Sequence, residues 1–173
     1  MLYRTIATAL LFASVVSSHP DRAAAHSEKP HANKIGEPGT AAEVDRTISI
    51  DMTDSEFDPS NVNVSAGDTI RFIVKNSGEL VHEFNIGTAQ MHAGHREEMM
   101  TMMDKGVLEA DRINHHMMGQ AGMMKHDDPN ALLLEPGQSG EIIWTFAGND
   151  SLEFGCNVPG HYESGMVGKF QMM

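Results

Sequence analysis

The stretch from Cys156 to Met166 constrains the fold of this 173-residue chain more than any other. It carries a thiol at Cys156, an imidazole at His161 and a thioether at Met166, with four residues between neighbouring members of the set. Strand-like runs at residues 152–154 and 167–172 precede and follow it. The pattern therefore predicts a loop between two strands that holds three donors for a soft metal ion.

A fourth donor lies far upstream, at His82, where another strand-like run begins. Alternate residues of a strand point to the same face, so His82 shares a face with Phe84 and Cys156 shares one with Phe154. Because their companions are apolar, both faces are predicted to point into the core. Each strand then delivers one donor inward near its end, and this allows two distant residues to meet.

The spacing Gly155-Cys156-x4-His161-x4-Met166, together with His82, resembles the type 1 copper site of the cupredoxin family. The resemblance spans residues 46–173 and implies a Greek-key β-sandwich that binds one copper ion. It also implies an electron-transfer role, with His161 as the exposed ligand through which electrons pass. Two histidines, a cysteine and a weak axial methionine form the donor set of blue-copper centres.

One residue departs from the family pattern. Many cupredoxins have an asparagine after the first histidine ligand, whereas this chain has Glu83. A carboxylate so close to the metal is expected to change the reduction potential and the colour of the site.

Two other interpretations of the same residues stay open. Zinc binds cysteine and histidine readily, although methionine is a poor ligand for it. A nucleophile–base pair formed by Cys156 and His161 is the enzymatic alternative, but no third orienting group or oxyanion hole is recognisable. We therefore favour a protein that is not an enzyme, apart from a possible weak oxidation of Cu(I).

Outside the loop, apolar and polar residues alternate along short runs separated by turns that contain Pro or Gly. The alternation is clearest at residues 48–52, 70–75 and 141–146. A period of two with turns at short spacing predicts an all-β antiparallel sandwich.

Residues 88–130 interrupt this alternation with a segment that is rich in methionine and histidine. Met99, Met102 and Met103 fall at helical spacing, which predicts a helix from about residue 95 to residue 113. The strand pattern resumes after the segment, so we expect an insertion into a sandwich that would close without it.

The insertion has two possible roles. Methionine fills gaps between packed elements, and thioethers with imidazoles also bind Cu(I). Core packing accounts less well for methionines that lie among Gly, His and Lys, so accessory copper binding is favoured. The candidate accessory ligands are Met91, His92, His95, Met99, Met100, Met102, Met103, His115, His116, Met117, Met118, Met123, Met124 and His126.

The N-terminus is typical of an exported protein. Residues 1–25 combine Arg4, an apolar run and the small residues Ala23 to Ala25, as secretory signals do. Residues 26–45 are rich in Pro, Gly and charge and are expected to form a flexible lead. A net charge of −12 argues against nucleic acid and anionic lipid as partners.

These observations predict a periplasmic or secreted copper-binding cupredoxin that serves copper tolerance. It is expected to be a monomer without stable membrane insertion, and to meet a redox protein or a copper-handling protein. A plain electron carrier between redox enzymes is the first alternative. A copper store or chaperone without a redox role is the second.

Overall fold

Two five-stranded sheets pack face to face in the computed structural model, which describes residues 35–120, 128–149 and 151–173. In chain order the elements are β1 (Gly36–Pro38), β2 (Arg46–Met52), β3 (Phe57–Asp58), β4 (Asn61–Val64), β5 (Thr69–Asn76), β6 (His82–Thr88), α1 (Ala89–Asp104), α2 (His115–Gln120), β7 (Ala131–Leu134), β8 (Ser139–Phe146), β9 (Leu152–Gly155) and β10 (Val167–Met172).

The strand order is β1-β8-β5-β2-β3 in one sheet and β4-β10-β9-β6-β7 in the other. Most neighbouring strands are antiparallel, while β2 pairs with β5 and β4 pairs with β10 in parallel. The predicted all-β sandwich is confirmed, since the strands form where the sequence alternates. The second sheet is the one that positions the site, because it places β6 beside β9.

The core between the sheets is built from the inward members of each alternating strand. Phe72 of β5, Phe84 of β6 and Phe154 of β9 have no exposed surface. The Phe84 ring packs against the rings of both Phe72 and Phe154. Burying one large aromatic side chain contributes about 1.5–3 kcal/mol. The strands that carry the candidate metal ligands are therefore anchored by the most buried part of the molecule.

β6 is buried on both of its faces, unlike a strand at the surface of a simple sandwich. One face meets the core, and α1 packs over the other face of β6 and over β9. Gly87 of β6 and Gly155 of β9 make this close packing possible. A Cβ atom at either position would lie 3.3–3.4 Å from ring atoms of His92 on α1.

The methionine-rich segment is the connection of a β-hairpin. β6 and β7 pair antiparallel, with Asn85 opposite Ala131, so the two ends of the segment are neighbours in the sheet. Its helix begins earlier than the sequence predicts, at Ala89, because the Thr88 hydroxyl accepts a hydrogen bond from Met91 N. It also ends earlier, at Asp104, where Gly106 adopts a left-handed φ of 67°.

The insertion is packed against the sandwich, and whether the sandwich would close without it stays a prediction. His92, Met99 and Met102 of α1 are buried, and so are Val107 and Leu108 after the helix. Removal of the segment would uncover the outer face of β6 and β9. β6, which carries His82, and β9, which leads into Cys156, therefore depend on the insertion for part of their burial.

The sandwich begins before residue 46, within the segment that the sequence predicts as a flexible lead. Gly36–Pro38 form β1 and pair with β8, and the Trp144 indole N–H donates to the Ile35 carbonyl at 3.1 Å. Proline and glycine mask this strand in the sequence because they are poor strand formers. The predicted signal, residues 1–25, lies outside the described residues, as does the lead up to residue 34.

Candidate metal centre

The side chains of His82, Cys156 and His161 converge at one end of the sandwich. Their potential ligand atoms all lie within 4.8 Å of one another. Cys156 Sγ is 3.8 Å from His82 Nδ1 and 3.4 Å from His161 Nδ1, and the two Nδ1 atoms are 3.2 Å apart. The structure thus brings together three of the four donors that the sequence singles out.

The sheet register explains why His82 and Cys156 meet although they are distant in the chain. β6 and β9 are antiparallel neighbours, with Asn85 opposite Gly155. Continuing this register brings the start of β6 beside the residues that follow β9. The ligand positions are therefore fixed by strand pairing and do not depend on a flexible connection.

Backbone hydrogen bonds close the loop that carries the other donors. Cys156 N donates to the Met166 carbonyl at 3.1 Å, and Met166 N donates to the His161 carbonyl at 3.0 Å. Gly160 and Gly165 adopt left-handed φ angles of 89° and 101°, which glycine tolerates best. The Met166 side chain is fully buried beside this loop.

The donors differ in their access to solvent. His82 and Cys156 have no exposed surface, whereas His161 is partly exposed. This matches the role that the family resemblance implies for His161. Burial of Cys156 also argues against a nucleophilic role, because reactive thiols are accessible and acidic.

Burial raises the pKa of the Cys156 thiol to about 12, even though the Glu83 backbone N–H donates to its sulfur at 3.3 Å. Burial lowers the pKa of His82 and of His161, and the neighbouring His82 lowers that of His161 further. Both imidazoles are thus neutral near pH 7 and have lone pairs to donate. A metal ion that displaces the thiol proton would satisfy all three groups.

The donor chemistry fits copper. Two imidazoles, one thiolate and a thioether are the set that blue-copper sites use, and the buried Met166 on the same loop can supply the thioether. Zinc would accept the first three donors, but the thioether of Met166 would contribute little to it. The residues present therefore match the metal that the sequence predicts.

The carboxylate of Glu83 is hydrogen-bonded to Asn157 and His95. The carboxylate accepts hydrogen bonds from Asn157 N at 3.3 Å, from Asn157 Nδ2 at 2.7 Å and from His95 Nε2 at 2.9 Å. Burial opposes ionisation of Glu83, but these partners hold its pKa below the ordinary value. Glu83 thus braces the residue after Cys156 and links it to α1.

A second contact fastens α1 to the same loop. His92 is fully buried, its Nδ1 lies 3.1 Å from Asn157 Nδ2, and its ring packs against that of Tyr162. The Arg96 guanidinium lies over the Tyr162 ring at 4.3 Å and pairs with Glu163 at 2.9 Å. The helix of the insertion and the cysteine loop therefore form one packed unit.

The candidate accessory ligands divide by exposure. His92, Met99 and Met102 are buried and serve packing or the hydrogen-bond network. The exposed members are Met100, Met103, His115 and His116, and the partly buried members are Met91, His95, Met117 and Met118. Met123, Met124 and His126 lie outside the described residues.

Sequence reasoning missed two residues of the site, Asp54 and Asn157. Asp54 Oδ1 lies 3.1 Å from His82 Nε2, and Asn157 joins Glu83 to His92. No local signal distinguishes Asp54 from other turn aspartates. The position of Asn157 beside Cys156 was the only indication for the second.

Neither helix in the described part of the chain has the length and apolar character needed to cross a bilayer.

Comparisons with known proteins identify the family and the fold. The family described as cupredoxin-like domain matches residues 6–113. A copper-resistant cuproprotein CopI from Pseudomonas aeruginosa is 45% identical over 85% of this chain and 87% of its own length. The CopI protein of Rubrivivax gelatinosus is 38% identical over 88% of this chain and 79% of its own.

Among solved structures, the chain is similar to the dithionite-reduced auracyanin of Roseiflexus castenholzii, with a TM-score of 0.55 and 24% identity. The match covers 75% of this chain and 98% of that one. At this identity the likeness shows a shared fold.

Proposed function

This chain belongs to the cupredoxin-like family, and we propose that it is an exported copper-tolerance protein with one type 1 copper centre. His82, Cys156, His161 and Met166 would hold the metal. The observation that carries the proposal is the convergence of two imidazole nitrogens and one sulfur within 4.8 Å, at the loop that also carries the buried Met166. The copper-resistance names of the relatives support the same role.

Copper bound at this site supplies a one-electron couple. The protein contributes a rigid donor set, fixed by the pairing of β6 with β9 and by the closed loop. Burial of Cys156 keeps water from the thiolate, and the partly exposed His161 ring is the route to the surface. These features suit electron transfer to or from a redox protein, with little rearrangement of the chain.

We propose further that the insertion captures Cu(I) at the surface of α1. The buried pair Met99 and Met102 belongs to the core, whereas Met100 and Met103 are 48% and 36% exposed. Residues three apart on a helix are neighbours on its surface, and thioethers select Cu(I). Met100 and Met103 are thus the accessible pair, with Glu97 exposed one turn before Met100.

The setting that fits these residues is the periplasm or the extracellular space. The sequence of residues 1–25 supports export. A net charge of −12 favours capture of cations and docking to basic proteins, and it disfavours nucleic acid. We propose that the chain is a monomer and that its partner is a redox protein or a copper-handling protein.

An anaerobic Cu(I) titration against a competing chelator tests the proposal. We compare the unsubstituted chain with the double variant Met100→Leu/Met103→Leu and with the matched control Met99→Leu/Met102→Leu. Leucine has a similar volume, so either exchange costs less than about 1.5 kcal/mol per site. The surface variant should lose at least one Cu(I) per chain, while the buried control should lose none.

The visible absorption of the Cu(II) protein is recorded beside each titration. Both double variants should keep the absorption, because neither changes a ligand of the proposed centre. Binding of a single copper ion by all three proteins would contradict capture by the insertion and would support a plain electron carrier. Binding of several copper ions without strong visible absorption would contradict the type 1 centre and would support a copper store.

A further inference from the structure

Asp54 lies in the connection between β2 and β3, and its side chain contacts the ring of His82 on the side opposite the donors. Asp54 Oδ1 is 3.1 Å from His82 Nε2. The same oxygen accepts hydrogen bonds from Glu79 N at 2.8 Å and Leu80 N at 3.1 Å. The carboxylate is therefore held in place by the backbone that leads into His82.

The surrounding loop is shaped to permit this contact. Asn76 Nδ2 donates to the Leu80 carbonyl at 2.8 Å, and Gly78 N donates to Asn76 Oδ1 at 3.0 Å. A Cβ atom at Gly78 would lie 2.2 Å from Asp54 Oδ1 and 3.0 Å from His82 Nε2. Any other residue at this position would push the carboxylate and the imidazole apart.

The contact determines which nitrogen of His82 carries the proton. An ionised carboxylate only accepts hydrogen bonds, so Nε2 must be the N–H of the neutral ring. The lone pair then belongs to Nδ1, which lies 3.2 Å from His161 Nδ1 and 3.8 Å from Cys156 Sγ. Carboxylate–histidine pairs of this kind orient metal ligands and raise their basicity.

We propose that Asp54 is a positioning residue that fixes His82 as the Nε2–H tautomer and lowers the reduction potential of the copper centre. The first part concerns the protein alone, and the second rests on the proposed function. A negative charge behind the ligand strengthens donation from Nδ1, and this favours Cu(II) over Cu(I). The carboxylate thereby biases the centre toward its oxidised state.

Asp54→Asn removes the charge and keeps an oxygen that can accept from Nε2. Mutation of such a partner typically weakens metal binding by about tenfold to a hundredfold, and we expect the lower value because asparagine keeps the hydrogen bond. A tenfold loss of Cu(II) affinity relative to Cu(I) corresponds to a rise of about 59 mV in a one-electron potential. Glu79→Gln is the matched control, because it removes one charge from an exposed side chain of the loop that leads into His82 without touching the His82 ring.

The first measurement is nitrogen-15 NMR of the His82 ring in the metal-free, unsubstituted chain at pH 8. The expected result is a single tautomer with the proton on Nε2. Gly78→Ala, which keeps the charge but displaces it, should give a mixture of tautomers. A proton on Nδ1 in the unsubstituted chain would overturn the proposal, and this arm requires no copper site.

The second measurement is the reduction potential of the copper-loaded proteins. Asp54→Asn should raise it by about 59 mV for the tenfold change in relative affinity, and Glu79→Gln should leave it within a small fraction of that. Equal reduction potentials in Asp54→Asn and Glu79→Gln would contradict the proposal, because the contact of Asp54 with His82 would then have no effect beyond that of any nearby negative charge. If no type 1 centre forms, the proposed function fails, and the tautomer alone decides the role of Asp54.

Discussion

Replacing His95 with glutamine tests the buried contact between the insertion and the cysteine loop. Glu83 is 1% exposed and accepts a hydrogen bond from His95 Nε2 at 2.9 Å, while His95 Nδ1 lies 3.1 Å from Glu98 Oε2. Burial by itself lowers the pKa of His95, but these two carboxylates raise it to about 9. The ring is therefore an imidazolium at neutral pH, and it compensates the charge of Glu83.

The stabilisation has a defined pH window. A group whose pKa rises on folding stabilises the folded state fully below its unfolded pKa. For His95 that value is 6.5, and the stabilisation is lost as the pH rises through about 9. Each tenfold change in proton affinity corresponds to about 1.4 kcal/mol, so below pH 6.5 His95 contributes about 3 kcal/mol to the free energy of unfolding.

The assay is urea unfolding of the metal-free protein and the His95→Gln variant between pH 6 and pH 10. Taking the difference between the two proteins cancels the titration of other groups, such as the Cys156 thiol. The variant should be less stable by about 3 kcal/mol at pH 6 and by less than about 1 kcal/mol near pH 10. A difference that stays constant with pH would refute the reasoning, because the pKa of His95 would then be the same in the folded and the unfolded state.

Two other variants address the site and the segment that covers it. Cys156→Ala should abolish the strong visible absorption of the Cu(II) protein, and persistence of that absorption would remove Cys156 from the centre. Deletion of residues 88–130 should broaden or abolish the same absorption, because it uncovers β6 and leaves Glu83 without His95. A deleted chain with an unchanged spectrum and unchanged unfolding would show that the insertion is separable after all.

Most of the sandwich could be predicted from the sequence because a strand with one buried face must alternate. Phe72 and Trp144 are buried members of β5 and β8, as the period of two indicates. β1 escaped prediction because a Gly-Glu-Pro strand has no alternation to detect, and its position depends on pairing with β8. The bounds of α1 depended on Thr88 and Gly106, whose capping roles are weaker signals than hydrophobic periodicity.

The candidate site was predictable to the extent that its chemistry is local. Cys156, His161 and Met166 lie in one short loop, so their spacing is visible in the sequence. Asp54 and His95 reach the site only through tertiary packing. Aspartate in a turn and histidine on a helix are ordinary in solvent, so neither residue type signals such a contact. Whether the four proposed ligands bind copper stays a prediction.

The division of the methionines of α1 between the core and the surface has a consequence for oxidative damage. Oxidants convert accessible thioethers to sulfoxides, which are polar and are restored by dedicated reductases. Met100 and Met103 are open to this reaction, whereas Met99 and Met102 are shielded by the fold. Oxidation would thus convert the surface thioethers that suit Cu(I) into sulfoxides and leave the packing of the helix intact. An oxidised population would keep its shape while losing the proposed capture of Cu(I), and repair of the thioethers would restore it without refolding.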